Sequence, residues 1–195
     1  DKKLEFRHAP SHERFPLLAD LTGEIEDEGF SPLEDAGWEW GEHRQFLRLY
    51  GKPDERFLAA ICLVEHDDLA FYYISISSRA KDGTTWTTWN YPFPPTLKTP
   101  PNLKLRRAPS ELSVFQLVET HRETLHGAAL DTADLDPIDP DRVTATLEAE
   151  LRAQVGYNVA AGVLRDAGDG TARYSWRGFF FLWCQFLRDL VRFSS

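Results

Sequence analysis

The apolar positions of this chain fall into two kinds of run. Phe57-Leu58-Ala59-Ala60-Ile61-Cys62-Leu63-Val64 is eight apolar residues in succession. Glu65-His66-Asp67-Asp68 breaks the run, Leu69 to Ser77 follows, and after Lys81-Asp82-Gly83 comes Thr84 to Trp89. β-Branched and aromatic residues joined by short polar breaks predict an antiparallel meander. The first run lacks polar alternation, which predicts a central strand buried on both faces. Arg44 to Tyr50 predicts the strand before it, and alternation over Leu4 to His8 predicts a short strand at the start. Residues 31–43, with two Trp, read as a loop.

Elsewhere the period is helical. Leu17, Leu18, Leu21 and Ile25 share one face of a helix that Ser11 would head and Gly29 would stop, with Pro16 tolerated near the first turn. Ser110 is placed to cap a helix over 111–126 whose face is Val114, Val118, His121 and Leu125. Between these lies Tyr91 to Pro109, whose six prolines predict an extended surface crossing. Ala128 to Pro140 has the composition of an acidic linker. Asp139-Pro140 then opens a helix with Val143, Leu147, Leu151 and Val155 as its inner stripe. Gly162 to Arg165 and Thr171 to Tyr174 flank a turn, and Trp176 to Phe193 forms the last helix. The order predicts an α+β fold. It has an antiparallel sheet of about five strands in β-α-β-β-β-β-α order, helix-grip-like, with a C-terminal α-hairpin-α extension. The divisions fall at 1–127, 128–140 and 141–195.

Composition adds bounds. With 42% hydrophobic and 13% aromatic residues, 195 residues fill a core. A net charge of −9 argues against a general nucleic-acid binder. The charge is uneven: Lys98, Lys104, Arg106 and Arg107 give residues 91–110 +4, four Arg against one Asp give 171–195 +3, and the remainder carries −16. The only cysteines, Cys62 and Cys184, sit in apolar runs and read as two buried free thiols. Met is absent even at position 1, which predicts a chain trimmed upstream of Asp1. No run of about 18 uncharged apolar residues is present to span a membrane.

Most candidate chemistry has a structural reading. Asp134, Asp136, Asp139 and Asp141 lack the glycine and terminal Glu of a calcium loop, and read as a solvated linker with a helix cap. His121 lies on an apolar stripe and reads as a hydrogen-bonded core histidine, and its spacing from His126 does not suit a metal pair. His66 reads as part of a turn. Ser75, Ser77 and Ser78 lack nucleophile-elbow glycines. Gly168-Asp169-Gly170 has no following Lys for a phosphate loop, and Pro92 to Pro95 is an unspecific proline-rich pattern. No catalytic residue, metal ligand or cofactor is assigned.

The closing helix rises above this background. Phe179, Trp183, Phe186, Leu187 and Leu190 share a face, Phe180 and Phe181 widen it, and Arg177, Arg188 and Arg192 border it. Aromatic bulk edged by arginine suits an in-plane interfacial helix. It equally suits a core helix docked on the sheet, and both readings stay open.

Asp82-Gly83, Thr88-Trp89-Asn90, Leu117 to His121, Tyr157-Asn158, Gly162 and Tyr174-Ser175-Trp176-Arg177-Gly178 resemble a family of uncharacterised bacterial proteins. Those proteins are usually predicted to carry a membrane anchor N-terminal to this region. The resemblance covers nearly the whole chain and implies an anchor before Asp1, consistent with Asp1-Lys2-Lys3 as a juxtamembrane start; it implies no activity.

The resulting expectation is a non-catalytic, membrane-associated domain on the cytoplasmic side of a bacterial inner membrane. Its partner would be an anionic membrane surface, met by the basic segment Tyr91–Ser110 and by Trp176, Arg177, Phe180, Phe181, Trp183, Arg188 and Arg192. Nucleic acid is not expected as a partner. The alternative is a binding module for a small apolar or aromatic ligand, walled by Tyr72, Trp86, Trp89 and His121. An enzyme of unknown class is the third reading.

Overall fold

The structure is a computed structural model that describes residues 4–40, 43–66, 69–168 and 171–193, with backbone only at 40, 43 and 186–193. The fold is α+β. A mostly antiparallel sheet of seven strands has the order β1-β2-β3-β4-β5-β6-β7. The strands are β1 Glu5–Phe6, β2 Ser31–Trp40, β3 His43–Lys52, β4 Phe57–His66, β5 Leu69–Arg79, β6 Thr85–Trp89 and β7 Leu103–Arg107. Helix α1, Leu18–Asp27, joins β1 to β2, and α2, Val114–Gly127, follows β7. After them come α3 Val143–Ala160, a hairpin of β8 Leu164–Asp166 and β9 Ala172–Tyr174, and α4 Trp176–Phe193.

Two strands correct the sequence reading. β2 occupies the expected loop at 31–43. Its Pro32, Glu34, Asp35, Gly37 and Glu39 are poor strand formers, yet it pairs with β3 from Ser31↔Gly51 to Trp40↔His43, with a bulge between Pro32 and Glu34. Arg48 on β3 clamps it, with Nε and one terminal nitrogen each 2.9 Å from an Asp35 carboxylate oxygen. β7 occupies the proline-free window between Pro101 and Pro109 and runs parallel to β6, Thr85↔Leu103 to Trp89↔Arg107. A parallel return needs a long crossover, and the proline-rich segment supplies it. The strand count is therefore seven rather than five.

β4 is central, paired on both sides, with Ala59, Ile61 and Leu63 buried on one face and Ala60 and Cys62 on the other. Helices α1 and α2 cover the first face. Leu18, Leu21 and Ile25 of α1 and Val114, Leu117, Val118 and Leu125 of α2 close a core over Tyr50, Ile61, Ile74 and Ile76. Helix α1 starts later than Ser11, after a series of turns around Pro16, and leaves Leu17 exposed. Ser113, rather than Ser110, caps α2 through a capping box with Gln116. The acidic segment is part of the sheet unit: Leu135 is buried in its core, and Lys81 N and Asp136 N bond across to Asp134 O and Arg79 O. Its carboxylates have local partners. Asp131 and Asp139 accept backbone N–H groups at their own turns, and Asp136 pairs with Arg79.

The chain forms two compact units. The sheet unit comprises residues 3–92 and 102–144, and a smaller unit comprises 1–2, 93–101 and 145–195. In the smaller unit Asn158 is fully buried and holds the crossover segment, accepting Lys98 N at 2.8 Å and donating to Lys98 O at 2.9 Å. The Tyr174 hydroxyl donates to Thr96 O. Gly178 seats the start of α4 against the hairpin: a Cβ there would stand 2.1 Å from Val163 O.

Candidate functional site

In the smaller unit, helix geometry puts Trp176, Phe180 and Trp183 at i, i+4 and i+7, with Phe179 beside them. All four are open to solvent, at 91%, 70% and 60% for the first three and 59% for Phe179. The side that packs is formed by Gly178, which is buried, and by half-buried Phe181, Leu182 and Gln185. Phe179 and Trp183, whose shared face left the docked and the interfacial readings open, are exposed. Phe181 was placed outside and is half-buried, with Lys98 Nζ 6.0 Å from its ring centre. Arg177 is exposed beside the aromatics. The side chains of Phe186, Leu187, Arg188, Leu190 and Arg192 lie outside those described. Cys184, expected to be buried, is exposed, while Cys62 is buried; both thiols are free.

Helix α3 adds a second open row. Leu151, Val155 and Val159, spaced by four, are each more than a third exposed. Leu151 and Val155 were expected on an inner stripe, of which Val143 alone is buried. The smaller unit is also the basic one. It holds eight Lys and Arg against six Asp and Glu, +2, leaving −11 for the sheet unit.

The basic segment Tyr91–Ser110 is not one surface. Arg106 bonds to Thr120 O, Thr124 and Glu123 on α2, and Arg107 donates to the carbonyls of Tyr91 and Pro92. Lys98 is the basic residue of the segment that belongs to the α4 unit.

The ligand-wall residues are dispersed. Strand alternation puts Tyr72, Trp86 and Thr88 on the helix-covered face, and Trp89 on the other. Ser78 lies opposite Trp86, so Tyr72 and Trp86 are about 20 Å apart along the sheet at ~3.3 Å per residue. Trp89 stacks on Tyr91 with ring centres 5.0 Å apart and meets Tyr73 edge-on.

His121 is fully buried, its ring edge-on to Phe57. Nε2 lies 3.1 Å from Ser78 Oγ and Nδ1 3.0 Å from Thr88 Oγ1. The single Ser78 hydroxyl proton is donated to Arg56 O. Ser78 must then accept from Nε2–H, and Nδ1 must accept from Thr88. Burial favours this neutral ring and pushes its pKa down to about 4, despite the opposing pull of Glu55. In that tautomer the histidine donates to the serine rather than taking its proton. Glu55 fixes the helix above it: Arg122 forks onto its carboxylate with two 2.6 Å bonds, and that guanidinium holds the carboxyl down at about 2.

Among the described residues, no cluster of His, Cys, Asp and Glu is placed to hold a metal ion, and no helix is long and apolar enough to cross a membrane. No family model, curated protein or solved structure matches this chain.

Proposed function

We propose that this chain is a non-catalytic domain that works against the cytoplasmic face of a bacterial inner membrane, with α4 lying in the plane of the lipid interface. The reading rests on one observation: an aromatic row of Trp176, Phe179, Phe180 and Trp183 that faces solvent while the opposite side of the same helix packs. A helix whose large rings point outward from its own unit has an apolar face seeking a second phase. Tryptophans on that row suit the headgroup boundary, where an indole keeps both an apolar and a polar neighbour. Arg177 and Lys98, together with the positive balance of the unit, suit anionic lipid.

The energy sets what such a helix does. Full burial of one large apolar side chain gives ~1.5–3 kcal/mol. Four rings as open as these therefore gain roughly 4–8 kcal/mol before the cost of immobilisation. That is comparable with a single myristoyl chain, which holds a protein to a bilayer only marginally. The helix would orient the domain and add to another attachment.

The test is co-sedimentation with vesicles of anionic and of neutral lipid. The wild-type chain is expected to bind anionic vesicles at low salt and to weaken as salt screens the arginines. Phe180→Ser combined with Trp183→Ser is expected to abolish binding with the melting temperature kept. No wild-type binding at low salt refutes the proposal.

A further inference from the structure

One stretch of the sheet has a neighbour on one side only. Strand β5 pairs with β4 from Leu69 to Ser77 but with β6 only from Ser75 to Arg79. Asn90 closes that shorter ladder. Its backbone N–H donates to Ile74 O at 3.1 Å, and its side-chain oxygen accepts Ile74 N at 2.6 Å. Pro92 follows and has no N–H to continue a ladder, and Arg107 holds the carbonyls of Tyr91 and Pro92. Leu69–Tyr73 therefore overhangs β6. Ile74 turns its backbone groups towards β6, so Ala70 and Tyr72, at a period of two, turn theirs the same way. Among the described residues no bond continues the ladder to those N–H and C=O groups.

The outer strands of the sheet are guarded, and this stretch is not. β2, flanked by the two residues of β1, carries Pro32, Glu34, Asp35 and Glu39, and β7 carries Lys104, Arg106 and Arg107. Proline and charge on an edge deter a further strand. Leu69-Ala70-Phe71-Tyr72-Tyr73 has neither. Leu69 is 50% exposed, and Ala70 is exposed beside it. On the helix-covered face an apolar hollow of about 180 Å³ opens between Ala70 and Tyr72 and the α1 residues Leu18 and Leu21. A cavity of ~150 Å³ with such a lining accepts a benzene ring.

We infer that two copies of this chain join antiparallel along Leu69–Tyr73, about a two-fold axis at Phe71, and so extend one sheet into the other. The free backbone groups set the register. With Ala70 opposite the partner's Tyr72, and Tyr72 opposite the partner's Ala70, four backbone bonds close. Two-fold rotation leaves that pattern unchanged, as a contact between identical patches requires. The side chains agree with it. On the helix-covered face each Ala70 makes room for the partner's Tyr72, whose ring enters the hollow. On the other face Phe71 meets the partner's Phe71, and Leu69 is covered by the partner's Tyr73. A small residue against a large one, twice over, selects a second copy rather than an arbitrary strand. The seam uses the sheet unit alone and no part of α4, so its failure leaves the membrane reading standing, and the reverse holds too.

Five residues at ~3.3 Å each make a short seam, which belongs with small, transient interfaces. Sedimentation velocity on the full chain, from low micromolar to submillimolar concentration, is therefore the experiment. The wild type is expected to shift from the mass of one chain towards that of two as concentration rises, and Phe180→Ser with Trp183→Ser should shift identically. Ala70→Pro removes an N–H that the single chain does not use and sets a ring on the edge; it should abolish the dimer while the melting temperature of the single chain is kept. Phe71→Lys and Phe71→Glu should each stay single, because like charges then meet at the axis, and an equimolar mixture of the two should regain the dimer. A wild type that keeps the mass of one chain throughout would overturn the inference. So would a dimer that survives Ala70→Pro, one that is lost with the α4 substitutions, or a folded Lys–Glu mixture that stays apart.

Discussion

Replacing His121 by Phe tests the buried polar array through its pH dependence. Phenylalanine keeps the bulk of the ring and its edge contact with Phe57. It removes the bonds to Ser78 and Thr88. Ser78 keeps its bond to Arg56 O, but the Thr88 hydroxyl, fully buried, is left without its partner. Two bonds at ~0.5–1.5 kcal/mol each, plus ~1–3 for a stranded hydroxyl, give an expected loss of about 2–6 kcal/mol at pH 7.5. The sign with pH follows from linkage. The folded state binds the His121 proton only near pH 4, whereas the unfolded chain binds it near 6.5. The contribution of the neutral ring is therefore fully present above 6.5 and is lost as pH falls from 6.5 towards 4. At 1.36 kcal/mol per pH unit, that interval removes about 3 kcal/mol from the wild type and nothing from the variant. Glu55 titrates lower, near 2 when folded, and is present in both proteins, so it cancels. Urea unfolding followed by tryptophan fluorescence from pH 7.5 to 4.5 should show the two stabilities converging on acidification. Parallel profiles, with a constant gap across that range, would refute the buried neutral ring.

Two further outcomes are expected. Native protein should react with one equivalent of a thiol reagent, at exposed Cys184, and with a second only after unfolding, because Cys62 is buried with its thiol pushed up to about 12; two fast equivalents, or none, would contradict this. Gly178→Ala drives a Cβ into Val163 O at 2.1 Å and should cost ~1–3 kcal/mol as backbone shifts to relieve it. Hydrogen exchange should then accelerate in β8, β9 and α4 while β3–β5 keep their protection, and unchanged exchange in α4 would show that the hairpin does not seat this helix.

The central strands were legible because their signal is local. Phe57–Val64 and Leu69–Ser77 each contain enough apolar, β-forming residues to declare a strand, and the face of α2 was readable from spacing, His121 included. β2 was hidden because its stability comes from its neighbour: an Arg48 fork and a full ladder to β3 override Pro, Gly and three acids. β7 was hidden by the prolines flanking it and by its parallel pairing, which no hairpin signal announces. For α4 the extent and the amphipathic pattern were readable from sequence. Which side packs was not, because that depends on Gly178 fitting against Val163 and on Phe181 lying under Lys98.

The crossover between β6 and β7 has a consequence for how this protein could be divided or inherited. The backbone leaves the sheet unit after Pro92, contributes Phe93–Pro101 to the smaller unit, returns at Asn102, and leaves again after Thr144. A gene fragment encoding 145–195 would lack the strand of chain that Asn158 grips on both sides at Lys98. A fragment ending at 144 would keep that segment with nothing to grip it. Neither half is a transferable cassette, so recombination at a single junction could not have moved the aromatic helix into this chain or out of it. The aromatic row and the seven-stranded sheet are expected to be gained, lost and duplicated together.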